Sequence, residues 1–120
     1  MAYKILVVDD EEDIREIISH FLTRAGYLVD TAADGKIAFE KILAARPDLI
    51  ISDIRMPNWD GYELLKNVTT ITPPRIPILF ISGYTFGHES QIKDNLNYAG
   101  LLSKPVTSKD LISAVQKNIT

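Results

Sequence analysis

The stretch Asp48-Leu49-Ile50-Ile51-Ser52-Asp53-Ile54-Arg55-Met56-Pro57 joins an apolar run to one carboxylate and then to a short loop containing proline. The run is brief and rich in β-branched residues, which reads as a buried strand. Asp53 falls where that strand ends. An ionised carboxylate left unpaired at such a place is too costly, so Asp53 is expected to be solvated, paired, metal-bound or reactive.

Toward the N-terminus the same pattern recurs. Lys4-Ile5-Leu6-Val7-Val8 is a short apolar strand ending in Asp9-Asp10. Ile14, Ile17, Ile18, Phe21, Leu22 and Ala25 then follow at helical spacing. Glu11, Glu12 and Asp13 stand in the first turn, where the helix dipole favours negative charge, and Gly26 ends the helix. Tyr27-Leu28-Val29 reads as a second strand. Asp34-Gly35 turns the chain into a second helix, with Ala38, Phe39, Ile42 and Leu43 facing inward and Pro47 marking its end.

Beyond Pro57 a third helix is expected from near Asp60, striped by Gly61, Leu64, Leu65 and Val68. Pro73, Pro74 and Pro77 bracket a linker. Ile78-Leu79-Phe80-Ile81 is a fourth strand that runs to Ser82-Gly83. A polar fourth helix is expected from Glu89 to Asn97, with Ile92 and Leu96 as its clear apolar residues. Ala99 to Leu102 forms a fifth strand, ending at Ser103-Lys104-Pro105. Thr107 and Asp110 are spaced as a capping box for a last helix faced by Leu111, Ile112, Val115 and Ile119. Five alternations of strand and helix imply an α/β fold of parallel strands joined by right-handed crossovers.

The bulk properties agree with a single domain over residues 1–120. The chain is 46% hydrophobic and 24% charged, an ordinary balance for a globular domain. Its net charge of −3 argues against a nucleic-acid surface, which needs a basic patch. It has no cysteine, so disulfides and thiolate metal sites are excluded. No apolar run approaches the roughly 20 residues that span a bilayer, and no signal peptide is visible. A cytoplasmic location and no membrane partner are therefore expected. Met1, close before the first strand, favours a natural N-terminus; residues 1–120 stop right after the last helix and hold no output domain, which fits a stand-alone regulator, the N-terminal receiver of a longer one or a piece of a hybrid kinase alike.

Asp9 and Asp10, Asp53, Ser82 and Lys104 each end a different strand. Parallel α/β sheets gather their sites along that carboxyl edge. Each residue alone has a plain alternative: Asp9 or Asp10 as a helix cap, Asp53 or Ser82-Gly83 in a turn, Lys104 on the surface. Their convergence outweighs those alternatives. Three carboxylates in one crevice repel unless a cation joins them, and an all-oxygen set suits Mg²⁺. With a metal at Asp10 and Asp53, the Asp53 carboxylate is placed to attack phosphorus and form an acyl phosphate. Lys104 would supply a second positive charge, and the Ser82 hydroxyl a hydrogen bond to a phosphoryl oxygen.

These motifs together resemble the response-regulator receiver domain of two-component signalling, of the chemotaxis type. The resemblance covers nearly the whole chain. It rests on Val7-Val8-Asp9-Asp10-Glu11, on Asp53-Ile54-Arg55-Met56-Pro57 with Asp60-Gly61, on Ser82-Gly83 and on Lys104-Pro105. It implies a three-layer flavodoxin-like (βα)5 fold, with sheet order 2-1-3-4-5 and helices on both faces. By position, Asp53 matches the phosphoacceptor and Asp10 a direct metal ligand. Asp9 matches an acidic partner acting through water, and Arg55 a backbone-carbonyl ligand. Ser82 matches the hydroxyl switch residue and Lys104 the lysine, with a cis Lys104–Pro105 bond. Implied partners are a sensor histidine kinase or histidine phosphotransfer protein and a downstream effector or output domain.

Leu101 departs from the pattern, which often has an aromatic residue three positions before the lysine. It is expected to be mostly buried with or without phosphorylation, with either a smaller aliphatic rearrangement in place of the aromatic one or a role that needs no such output. Arg55 and Tyr84 are expected to flank water's approach to the acyl phosphate and slow its loss. Ile14 and Ile17 either meet the partner's histidine-bearing helices or belong to the core. Trp59 is either a lid or a packing residue. Two other functions compete. An aspartyl phosphohydrolase of the haloacid-dehalogenase type needs an Asp where Arg55 stands. A degenerate receiver serving as a binding scaffold would not need the full acidic, hydroxyl and lysine set.

Overall fold

Strand β1 (Lys4–Val8) sends Ile5 and Val7 to one side and Leu6 and Val8 to the other, and this alternation builds both halves of the molecule. The structure, a computed structural model, describes residues 2–71, 75–83 and 95–119. After β1 come α1 (Glu12–Arg24), β2 (Leu28–Ala32), α2 (Gly35–Ala44), β3 (Leu49–Asp53) and α3 (Gly61–Val68). Then follow β4 (Ile78–Ser82), β5 (Tyr98–Ser103) and α4 (Ser108–Asn118). The strands form one parallel sheet of order β2-β1-β3-β4-β5, as the resemblance implies.

Helices cover both faces. Leu6, Val8, Ile50, Ile78 and Phe80 pack with Ala38 and Ile42 of α2 and with Leu64, Leu65 and Val68 of α3. On the other face, Ile5, Val7, Leu49, Ile51, Leu79 and Ile81 pack with Ile18 and Leu22 of α1 and with Leu111 and Val115 of α4. Strands buried on both faces must be apolar throughout, which is why β3 and β4 read as unbroken runs.

Local chemistry sets the helix ends. Asp60 caps α3 by accepting from Glu63 N at 2.9 Å, and Thr107 caps α4 by accepting from Asp110 N at 3.1 Å. Asp34 caps α2, its Oδ1 accepting from Ile37 N at 2.8 Å. Burial pushes the Asp34 carboxyl up, but the bonds from Ile37 N and Asn58, helped by nearby Lys36, hold it below its ordinary 3.8. A carboxylate lowered by folding contributes stability that is complete above the unfolded value and is lost as pH falls through the folded one. The acid limb of stability, below pH 3.8, is therefore expected to be shallower in Asp34→Asn than in wild type. Urea unfolding at a series of pH values measures this, and equal slopes would remove Asp34 from the acid response.

Some expectations change. The second strand runs from Leu28 to Ala32, beyond the expected Tyr27 to Val29, because it pairs along the whole of β1. Polar Asp30 and Thr31 hid this extension at a sheet edge. There the Lys41 ammonium bonds Thr31 O at 2.5 Å and Asp30 Oδ1 at 3.2 Å, covering part of the open edge. Leu43 was expected inside but is 65% exposed, since the buried face of α2 is spent on Ala38 and Ile42. Ala25 is also exposed, lying just past the last turn of α1. β5 is one residue longer at each end than expected. Residues 89–94 of the expected fourth helix lie outside the described residues, as do Tyr84, Pro73 and Pro74, whereas its last three, 95–97, form a turn into β5 and not a helix. No described helix is long and apolar enough to cross a membrane.

Candidate functional site

Strand register brings the carboxyl ends level. Val8 pairs with Ser52, Asp53 with Ile81, and Ser82 with Ser103. Asp53, 7% exposed, closes β3. Its Oδ1 accepts from Ile54 N at 2.8 Å, and its Oδ2 lies 3.2 Å from the Lys104 ammonium. The same ammonium reaches Asp9 Oδ2 at 3.1 Å and Glu11 Oε1 at 3.7 Å. Lys104 N donates to Ser82 O at 2.9 Å, which continues the β4–β5 pairing up to the lysine. The Lys104–Pro105 bond is cis, as expected. Ser82 is buried beside this cluster, whereas Asp10 and Arg55 are exposed.

Asp9 does not cap α1. The N-cap is Glu11, which makes no side-chain cap bond, and Asp9 Oδ1 instead accepts from Glu11 N at 2.9 Å. Burial raises the Asp9 carboxyl above its ordinary value and the Asp53 charge adds to this, against the opposing Glu11 N bond and Lys104. Burial disfavours the Lys104 charge, but Asp9 and Asp53 outweigh it and hold the ammonium above its ordinary value. One fixed cation thus faces two nearly buried carboxylates.

The donor set fits a hard cation. Asp9, Asp10, Glu11 and Asp53 each offer a carboxylate oxygen, all within 4.8 Å of one another, with neither imidazole nor sulfur among them. Mg²⁺ uses one or two carboxylates and completes its shell with water and substrate oxygens. The cluster holds enough charge for that.

Two neighbouring groups escaped the sequence reading. Glu11 joins the acidic cluster, and its place next to Asp9-Asp10 was the available signal. Arg15 donates from Nη1 to the Asp9 carbonyl at 2.5 Å and ties α1 to the loop. Nothing in the helical pattern pointed to that bond. One open point gains an answer and one expectation is corrected. Trp59 packs against Phe39, with ring centroids 5.5 Å apart. Leu101 is only partly buried, less than expected, and packs against the core on the α2–α3 face.

Gly61 keeps α3 close to the acceptor strand. A Cβ there would lie 2.7 Å from Asp53 O, 2.9 Å from Ile54 Cα and 2.9 Å from Phe80 Cε1. Two of these are backbone atoms that cannot yield cheaply. Gly61 N also donates to Ile54 O at 2.7 Å. Gly61→Ala is expected to cost about 1–3 kcal/mol by overpacking. Urea unfolding checks this, and a loss near zero would show that α3 can move away freely.

The chain is thus a doubly wound parallel sheet with carboxylates and a lysine gathered at its strand ends. The chain belongs to the response regulator receiver domain family, whose model matches residues 5–116. It is 33% identical to the response regulator receiver protein CpdR of Brucella abortus, covering 95% of this chain and 94% of that protein. It is also 33% identical to the probable transcriptional regulator ycf29 of Porphyra purpurea, covering 99% of this chain but only 57% of that protein. The chemotaxis protein CheY4 of Vibrio cholerae superposes with a TM-score of 0.87 at 37% identity, covering 99% of this chain and 100% of that one. Receiver domains work with histidine kinases and output domains.

Proposed function

We propose that residues 1–120 act as one phosphoacceptor receiver domain. In this reading Asp53 takes a phosphoryl group from the phosphohistidine of a sensor kinase or histidine phosphotransfer protein. The observation that carries it is the nearly buried Asp53 carboxylate, 3.2 Å from the Lys104 ammonium and within the acidic cluster. An Asp53 oxygen forms a bond to phosphorus as the phosphorus–nitrogen bond to imidazole breaks, and the imidazole leaves with that electron pair. Lys104 balances charge on the transferred phosphoryl oxygens, and the Ser82 hydroxyl donates to one of them. Asp10, Asp53 and the Arg55 carbonyl would hold Mg²⁺, with Asp9 acting through water. When bound, Mg²⁺ supplies neutralisation of the phosphoryl charge and a template for in-line alignment.

The partner surface in this reading is an apolar groove of about 280 Å³ beside Lys104, lined by Ile14, Ile17, Ile18, Ile81, Pro105 and Val106. Ile17, 49% exposed, is its open face, whereas Ile14 leans on the core. A histidine-bearing helix laid there would bring its phosphoryl group to the strand ends. Phosphorylation then changes a surface read by an effector or output domain. Bulky, exposed Arg55 slows water's approach to the acyl phosphate, and the setting is cytoplasmic.

Intact mass after incubation with acetyl phosphate tests the reading. One added phosphoryl group that requires Mg²⁺ and disappears with a chelator is the expected result. Absence of label under conditions where Mg²⁺ binds would leave only a binding scaffold.

A further inference from the structure

The loop that leaves Asp53 is gripped from outside by the start of α2. Asn58 Nδ2 donates to Asp34 Oδ2 at 2.6 Å, while the other oxygen of that carboxylate caps α2. One residue on, the Trp59 carbonyl accepts from Gly35 N at 3.1 Å. A Cβ at Gly35 would lie 2.7 Å from Trp59 O and 2.8 Å from Trp59 Cβ, so helix start and loop are in direct contact. Asn58 is the one non-glycine residue with positive φ among the described residues, at 63°. Such a backbone persists where its surroundings over-determine it. The Asp34 bond before Trp59, and the Phe39 ring against it, do so here.

The other side of the same loop belongs to the site. Ile54 N is held by Asp53 Oδ1, and Ile54 O by Gly61 N. Arg55 lies between these bonds and the Asn58 grip. The position of its backbone is set by both ends together. Losing a group that orients a metal ligand from outside typically costs about 10–100-fold in metal affinity.

We propose that Asp34 and Asn58 form a latch that holds the Asp53–Gly61 loop in its cation-binding form, which makes them positioning residues for divalent-cation binding. The latch rests on reading the site as a Mg²⁺-dependent phosphoacceptor. Asn58→Gly removes the amide while still allowing positive φ, so it isolates the bond from the backbone shape. Asp34→Ala removes the other partner. Calorimetric titration with Mg²⁺, on wild type, both single variants and the double variant, reads the effect. Melting temperatures in metal-free buffer are recorded beside it.

Mg²⁺ is expected to bind about ten-fold more weakly to Asn58→Gly. Asp34→Ala should weaken it similarly, and the double variant should be no weaker than the weaker single, because both residues make one bond. Unchanged Mg²⁺ affinity with a lowered melting temperature would overturn the latch and leave a purely structural contact. Losses that add in the double variant would also overturn it, since the residues would then act separately. Wild type that binds no Mg²⁺ would instead bring down the reading of the site, and the latch with it.

Discussion

Asp53→Asn is expected to reduce phosphoryl labelling to background under conditions that label wild type fully. The amide lacks the anionic oxygen that attacks phosphorus, so the reaction loses its nucleophile. The same change removes one charge from a cluster in which Asp9, Asp10, Glu11 and Asp53 crowd together. It therefore weakens cation binding as well. The fold should survive, because Lys104 keeps Asp9 at 3.1 Å and the repulsion between Asp9 and Asp53 is relieved. Intact mass reads the label, and circular dichroism shows that the variant is folded. Substantial label on a folded Asp53→Asn protein would move the acceptor to another carboxylate, with exposed Asp10 the first to test.

Phe80→Ala is expected to be the most destabilising of the substitutions considered, at about 3–5 kcal/mol. Phe80 is fully buried at 0% exposure in β4. Its ring lies 6.2 Å from that of Tyr62 and 6.1 Å from that of Tyr98, between centroids. It also backs Gly61, whose added Cβ would meet Phe80 Cε1 at 2.9 Å. Removing the ring empties the space that holds the start of α3 against Asp53. Domains of this size have only about 5–15 kcal/mol of stability in all, so the loss would approach the limit of folding. The shift in urea midpoint measures it. A cost below about 1 kcal/mol would mean that α3 and β5 close over the gap.

The central strands were legible because they are apolar on both faces. Leu49 to Ile51 and Ile78 to Ile81 admit few other readings at that length, and each leads to a polar residue, Asp53 or Ser82, of the proposed site. The edge strand was legible only in part. Asp30 and Thr31 face a less buried environment, so their polarity masked pairing that β1 imposes. Leu43 was misplaced for a related reason. Helical spacing marks a stripe but not its width, and α2 buries only a narrow one.

The sequence by itself determined the alternation of elements, the carboxylate or hydroxyl at each central strand end, and the lysine after the last strand. Those features are local. Strand periodicity, turn residues and caps act within a few positions of one another. Only the tertiary structure decided that one ammonium, Lys104, would reach Asp9, Glu11 and Asp53 together. Only it joined Asp34 to Asn58 across 24 positions of chain. Such contacts depend on how two strand ends and a helix start meet in space. Sheet order and register set that meeting, and no spacing within a single segment records it.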